Sequence, residues 1–204
     1  NWADHYFKGM LGFEQEENEY SALLANSTGL ITDDLPSIST SLGDKSVDDH
    51  LNHWATRGVF GRINYNYQEK YLVELSARYN GSSRFPKHNR FGFFPSGSIG
   101  YVISKEDFFQ AALPYINNLK VRASYGALGN QNVNNYLYYS RLNVSPNLNW
   151  IINNARPQYA TVPALISDEI TWETITTVNF GLDASLLRSR LGVTFDWYNR
   201  TTND

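Results

Sequence analysis

Tyr71-Leu72-Val73-Glu74-Leu75-Ser76-Ala77-Arg78-Tyr79-Asn80 alternates from end to end. Tyr71, Val73, Leu75, Ala77 and Tyr79 share one parity, and Glu74, Ser76, Arg78 and Asn80 share the other. Period two is the signature of a strand whose two faces meet unlike surroundings. Upstream, across Gln68-Glu69-Lys70, residues 57–67 set Val59, Ile63, Tyr65 and Tyr67 against Arg62, Asn64 and Asn66. Downstream, residues 91–103 set Phe93, Ile99, Tyr101 and Ile103 against Ser96, Ser98 and Gly100.

The pattern extends to both ends of the chain. Residues 5–16 place Phe7, Gly9, Leu11 and Phe13 opposite Lys8, Met10 and Glu14, and residues 119–127 place Leu119, Val121, Ala123 and Tyr125 opposite Lys120, Arg122 and Ser124. Residues 174–186 and 191–200 continue it, with Val178, Phe180, Leu182, Ala184, Leu191, Val193, Phe195 and Trp197 opposite Asn179, Asp183, Asp196 and Arg200. Seven strands are expected. The connections alternate in length: residues 17–54 read as a long polar loop, 68–70 as a tight turn, and 81–90 as a medium loop. Residues 104–118 read as a moderate connection with one helical turn at Lys105–Ala111, 128–170 as a very long Asn-rich loop, and 187–190 as a tight turn. An up-and-down antiparallel meander with one short-turn end and one long-loop end follows.

Alternation also suits a soluble sandwich, so the contents of the faces must decide. The strands are long against the usual five or six residues, and near the roughly ten that a tilted transmembrane strand needs. Aromatics collect at the ends of the apolar face: Tyr65, Tyr67, Tyr71 and Tyr101 toward the short turns, and Tyr79, Phe93, Tyr125 and Trp197 toward the long loops. Amphipathic rings settle in this way at membrane interfaces. Charge is locked to the other face, at Arg62, Glu74, Arg78, Lys120, Arg122, Asp183, Asp196 and Arg200, which are the expected lumen-facing charges. His5 and Arg57 break phase and are expected at strand ends. The fold class expected is all-β, a transmembrane β-barrel wall. An open sheet with one greasy face would aggregate, so closure needs strands outside this segment.

Composition excludes other classes. The 204 residues carry a net charge of -3, too little clustered charge for a nucleic-acid surface. Charged residues make up 18%, below the roughly 25% of soluble domains, and aromatics 15%. With no Cys there is no disulfide, thiolate metal site or Cys nucleophile. No apolar run is long enough for a transmembrane helix, and Asn1-Trp2-Ala3-Asp4-His5 lacks the features of a signal peptide. The chain reads as a piece of something longer.

Several segments carry a family likeness: Gly61-Arg62-Ile63-Asn64-Tyr65-Asn66-Tyr67 with Lys70-Tyr71-Leu72, and Asn80-Gly81-Ser82-Ser83-Arg84-Phe85 with Phe94-Pro95-Ser96. Leu119 through Gly126 with Gly129-Asn130 follows, then Trp172-Glu173-Thr174 with Asn179, Gly181, Leu182 and Asp183, and finally Tyr198-Asn199-Arg200-Thr201-Thr202. In this order, and over nearly the whole chain, they resemble the SusC/RagA family of TonB-linked outer-membrane proteins. Asn80 departs from the family's usual Asp.

The resemblance implies a 22-stranded barrel with an N-terminal plug, found in Bacteroidetes, of which residues 1–204 would be part of the barrel domain, without plug or TonB box. It implies a multi-pass protein in the outer-membrane lipid that imports oligosaccharides or peptides. Its partners would be a SusD-like surface lipoprotein and the TonB complex, the latter through regions outside this chain. No cofactor, nucleic acid or enzyme activity is implied. A secreted carbohydrate-binding β-sandwich is the alternative, motivated by loop aromatics; a passive porin or usher-like barrel is a third reading.

No hydrolase elbow, phosphate loop or zinc-protease motif occurs. Asp48-Asp49-His50-Leu51-Asn52-His53 has metal-ligand residue types, but short motifs of this kind more often mark a solvated loop. Glu14, Glu16, Glu17 and Glu19 read as a strand entering an acidic loop mouth rather than as a paired-carboxylate site. Arg84 and Arg90 could pair with carboxylates. With Trp54, Tyr136, Tyr138 and Trp150 they form the candidate set for contact with substrate or lid, because aromatic and Arg side chains are enriched at interfaces. Catalytic and metal-binding residues are expected to be absent.

Overall fold

The computed structural model describes residues 4–34, 36–112, 115–145, 149–163 and 165–203; the N-terminal Asn1–Ala3 reading lies outside them. Seven long strands form one sheet: β1 (His5–Ser27), β2 (Lys45–Tyr67), β3 (Tyr71–Ser82), β4 (Phe91–Val102), β5 (Ile116–Asn130), β8 (Glu173–Leu186) and β9 (Leu191–Asn203). Their order in space is β1-β2-β3-β4-β5-β8-β9 and every neighbouring pair is antiparallel. Two-residue strands β6 (Val144–Ser145) and β7 (Tyr159–Ala160) pair inside the long loop. This is the expected meander.

The ladder puts like residues in rows. One rung runs Tyr65, Val73, Ile99, Ala123, Phe180, Trp197 across six strands, and another runs Tyr67, Tyr71, Tyr101, Val121, Leu182, Phe195. The second rung starts at the β2–β3 turn but meets β8 four residues before that strand ends at Leu186. Such stagger is what strand tilt in a barrel requires. It raises Tyr125 and Trp197 toward the long-loop end, where Tyr79 and Phe91 stack at 5.1 Å. At the other end Tyr71 and Tyr101 stack at 4.9 Å and Phe7 lies 4.6 Å from Tyr65. Both aromatic girdles are present.

Turn chemistry fixes the short-turn end. Gln68 and Glu69 both take positive φ, 50° and 53°, and Lys70 N–H donates to the Tyr67 carbonyl at 2.9 Å. Two positive φ angles suit the twist of a hairpin, even without glycine. The helical turn expected at Lys105–Ala111 is a 3-10 turn, Ile103–Lys105, followed by α1, Asp107–Ala112. Ile103 therefore opens that turn and does not belong to β4.

Two expectations need correction. Residues 17–54 are not one loop: β1 runs to Ser27 and β2 starts at Lys45, leaving only 28–44 as the connection. Each face of this outer hairpin mixes polar residues (Glu16, Glu17, Asn18, Glu19, Asp48, Asp49, His50, Asn52) with apolar ones (Tyr20, Leu23, Leu24, Val47, Leu51), so nothing alternates. The backbone ladder continues there without an apolar face to announce it. In consequence Arg57 is interior to β2. It lies in register with Gln15 and Gly81, with its guanidinium over the Phe91 ring at 5.4 Å. It marks the edge of the apolar band. The ten steps from Tyr67 to Arg57 cover about 33 Å along the strand, or roughly 25 Å at a tilt near 40°, which is the height of a membrane band. Beyond Arg57 the strands of the hairpin run about 40 Å further, or about 30 Å in height at the same tilt.

The sandwich alternative is overturned as well. Among the described residues no second sheet packs on the apolar face, where Leu11 is 81% and Leu75 57% exposed. The buried cluster of Phe85, Phe94 and Trp172 sits on the polar side instead, at the long-loop end.

Candidate functional site: the polar face and its loop mouth

The polar face carries charge in cross-strand relays. Arg122 on β5 reaches Asp183 on β8 at 3.1 Å and Asp196 on β9 at 2.7 Å. The guanidinium lies flat across Gly181, where a Cβ would come within 2.5 Å of it. Glu74 meets Arg62 at 3.7 Å and accepts from Asn64 Nδ2 at 2.5 Å. Arg78 pairs with Glu14, two strands away, and lies over the Phe60 ring at 5.7 Å. Asn80 accepts from Arg78 Nε at 2.8 Å, so the amide keeps the acceptor that an Asp would offer. Lys120 and Arg200 have the same parity as these groups, in register with Asp183 and Thr177. All eight sequence-predicted charges therefore share one face. Two hollows of about 480 Å³ and 530 Å³ are lined by these groups, the first by Glu74 and Arg122, the second by Glu14, Arg78 and Phe94.

At the long-loop end, residues 131–138 and 168–172 fold onto residues 83–90, and 135–136 reach the β1–β2 hairpin. Arg84 lies over the Trp54 ring at 4.8 Å and donates to the Gln131 carbonyl at 3.0 Å. Tyr136 OH donates to the His53 carbonyl at 3.1 Å and accepts from the His53 N–H at 3.2 Å, capping the free edge of β2. Tyr138 OH donates to the Ser83 carbonyl at 3.2 Å, and Ser83 N–H donates to Ala55 at 2.9 Å. Burial pushes the Tyr138 phenol up, and Tyr139 adds to this, while nearby Arg90 pulls it down. Trp54, Arg84, Arg90, Tyr136 and Tyr138 thus converge. Trp150 does not: it stands 77% exposed on the outer part of the long loop, with Ile151, Val162 and Leu165 also exposed. The expected carboxylate partners are not used, since among the described residues Arg84 and Arg90 reach none and their Nε atoms are buried without a hydrogen bond.

The Asp48–His53 segment is strand, and alternation sends Asp48, His50 and Asn52 to one face and Asp49 and His53 to the other. His53 pairs with Glu17 at 2.8 Å. Among the described residues no metal-binding cluster forms.

Sequence reasoning missed the clasp beneath the loops. Phe94 is fully out of phase on the polar face, 5.3 Å from Trp172, whose indole donates to the Arg90 carbonyl at 2.9 Å. Phe85 completes it at 5.2 Å from Trp172. The signal was present: Gly92 and Gly129 flank Phe94, and a Cβ at Gly129 would lie 2.1 Å from its ring.

Residues 2–204 match the family model described as TonB dependent receptor-like, beta-barrel. The chain belongs to the TonB-dependent receptor β-barrel family. Among curated relatives, TonB-dependent receptor P3 of Formosa agariphila is 30% identical over all of this chain and 20% of its own length. TonB-dependent receptor SusC of Bacteroides thetaiotaomicron is 34% identical over 74% of this chain and 16% of its own. Among solved structures, the RagAB peptide transporter superposes with a TM-score of 0.85 at 27% identity, over 98% of this chain and 22% of that one. The RagAB importer in its open-open state gives 0.84. This TonB-dependent receptor segment is thus of SusC/RagA type, and it spans about a fifth of the length of the curated relatives it matches. The family is one of outer-membrane transporters rather than enzymes.

Proposed function

We propose that this chain is a wall arc of an active outer-membrane importer. Its two faces separate lipid from a wet lumen, and its seven long strands each cross the bilayer. The observation that carries the reading is phase: Arg62, Glu74, Arg78, Lys120, Arg122, Asp183, Asp196 and Arg200, on five of the seven strands, lie on one face of the sheet, and the opposite band holds aliphatic residues between two aromatic girdles. A Lys or Arg on the lipid side at mid-depth costs about 2–4 kcal/mol, whereas in a water-filled lumen it costs little. Short turns then face the periplasm and the long loops face the exterior. Strands β1 and β9 each carry an edge unpaired among the described residues, and the remaining strands of the barrel would close there.

Oligosaccharides or peptides are the cargo classes this reading supports, since a SusC and a peptide transporter are both among the similar proteins. A SusD-like lipoprotein would close over the mouth. The exposed Trp150, Ile151, Val162 and Leu165 supply apolar area for such a lid, and Trp54, Arg84, Arg90, Tyr136 and Tyr138 form the rigid seat beneath. TonB would supply the energy through parts of the full-length protein.

Uptake by cells expressing the full-length protein tests this. Deleting TonB is expected to abolish import of labelled oligosaccharide or peptide, and deleting the neighbouring lipoprotein to reduce it strongly. Import that persists without TonB would replace this reading with a passive porin.

A further inference from the structure

We infer that the long-loop edge of the apolar band carries a site for the phosphate of an outer-leaflet lipid, built on Arg57 between β1, β3 and the start of β4. It rests on the membrane reading above. Arg57 has the parity of the lipid-facing residues, and its rung runs Gln15, Arg57, Gly81, Phe91. One rung toward the short turns lie Phe13, Val59, Tyr79 and Phe93, all exposed. A group bound at Arg57 therefore has apolar wall directly beneath it, at the height where the outer headgroups begin. A soluble anion gains nothing from that wall, whereas a lipid whose phosphate rests on Arg57 lays its acyl chains along it. Both neighbours of β2 belong to this arc, so closing the barrel adds no strand beside Arg57.

The guanidinium is set in place rather than loose. The Phe91 ring lies across Gly81, where a Cβ would be 2.4 Å from it, and Arg57 stands over that ring at 5.4 Å. Tyr79 stacks on Phe91 at 5.1 Å. A ring face holds an Arg by its flat side and leaves the N–H fork free for oxyanion oxygens. The fork is unused: among the described residues Arg57 makes no ion pair and no hydrogen bond. It borders a hollow of about 280 Å³ whose lining includes Gln15, Ser83, Arg90 and Phe91 and, among the described residues, no carboxylate. Residues 83–90 bring Arg84, Lys87 and Arg90 and no acid. The acids of the surrounding elements are engaged or turned elsewhere. Glu17, one rung further out on the same face, pairs with His53 at 2.8 Å. Glu14 and Glu16 have the opposite parity, and Glu14 pairs with Arg78. Asp168, with Glu169 beside it, meets the loop at His88, which donates to the Asp168 carbonyl at 2.9 Å. Arg57 is left as an uncompensated cation at headgroup height, where phosphate oxygens make charge-assisted hydrogen bonds to an Arg fork.

The test uses the full-length protein carrying this arc, in phosphatidylcholine nanodiscs doped with equal amounts of monophosphoryl lipid A and the same lipid after phosphatase treatment. Mass spectrometry of the complex released into the gas phase reads the retained lipid. Preferential retention of the phosphorylated form is expected, and Arg57→Gln should lower it about tenfold, the scale of one charge-assisted hydrogen bond. Equal retention of the two lipids by the unaltered protein, or an undiminished preference in an inserted, heat-modifiable Arg57→Gln barrel, overturns the site and leaves the membrane reading standing. A preference abolished by inorganic phosphate would assign Arg57 to a soluble anion and overturn the lipid. Should Arg57→Gln fail to insert, monophosphoryl lipid A with a headgroup diazirine decides on the unaltered protein. Cross-links concentrated on residues 13–17, 55–59 and 81–91 support the site, and labelling spread evenly around the outer edge of the band overturns it. Recovery of the protein as a soluble monomer without detergent removes the membrane reading, and the site with it.

Discussion

The Arg84 guanidinium lies over the Trp54 ring, 4.8 Å from its centroid, and ties the loop after β3 to the hairpin that stands above the membrane. The two residues are thirty positions apart and neither belongs to the barrel wall proper. Through Gln131, which accepts from Arg84, the same contact reaches the long loop. The mouth is therefore a braced structure rather than a set of independent loops.

Trp54→Ala should loosen that brace without unfolding the wall. A cation–π contact contributes about 0.5–1 kcal/mol when exposed and about 2 when desolvated. Limited proteolysis in residues 83–90 and 131–139 should accelerate several-fold, and β-barrel melting should be nearly unchanged. Equal protease resistance in the variant would show that the stack holds nothing.

Leu75→Arg and Ser76→Arg differ by one position and should differ sharply in cost. Leu75 is mid-way along the apolar side of β3, so Arg there should cost about 2–4 kcal/mol. Ser76 faces the polar side, where its hydroxyl lies 2.7 Å from that of Ser96, and losing that bond should cost about 1 kcal/mol. Denaturant titration of barrels refolded into vesicles measures both. Equal costs would remove the two-face assignment.

Gly129→Ala should act through Phe94. The added Cβ would lie 2.1 Å from the ring, and overpacking of this kind costs about 1–3 kcal/mol. Phe94→Leu should partly rescue Gly129→Ala, because it shortens the side chain that the methyl displaces. Tryptophan fluorescence of Trp172, which packs against Phe94, reports the repacking directly.

The rim at the short-turn end should respond to pH in a defined direction. Its hydrogen bond from Lys70, then that from Tyr71, holds the Glu106 carboxyl below its ordinary 4.5. A carboxylate with a depressed folded value stabilises above its unfolded value and loses that contribution as pH falls through the folded one. Lys70 is raised above 10.5, chiefly by Glu106, so its share is present below that value and is lost as pH rises through the folded one. Amide protection in residues 103–109, measured relative to the intrinsic exchange rate at each pH, should therefore be high at neutral pH and fall below about pH 4. Glu106→Gln should flatten the acid limb; an unchanged limb would show that Glu106 does not anchor the turn.

Much of the wall was legible in sequence. Tyr71 through Asn80 alternates because one side of each strand meets lipid and the other meets water, and that demand is imposed residue by residue. The count of long strands, both tight turns and the parity of Arg122, Asp183 and Asp196 all follow from it, and the helical turn read at Lys105–Ala111 overlaps α1. The outer half of the β1–β2 hairpin was illegible for the same reason. Where both faces meet water, backbone pairing leaves no period in the side chains, and Glu17 or Asp49 reads as loop.

Only the tertiary structure decided the rest. Register alone shows that Arg122 meets acids on two further strands and that Arg78 reaches Glu14 across β2. Folding of two loops over the mouth brought Phe94 and Phe85 together on Trp172 in a buried cluster, and gave Arg84 an indole rather than a carboxylate. Sequence by itself determined which face each residue takes, because parity is local and solvent imposes it. Partners across the sheet depend on stagger and closure, and those are properties of the assembled ladder that no single strand encodes.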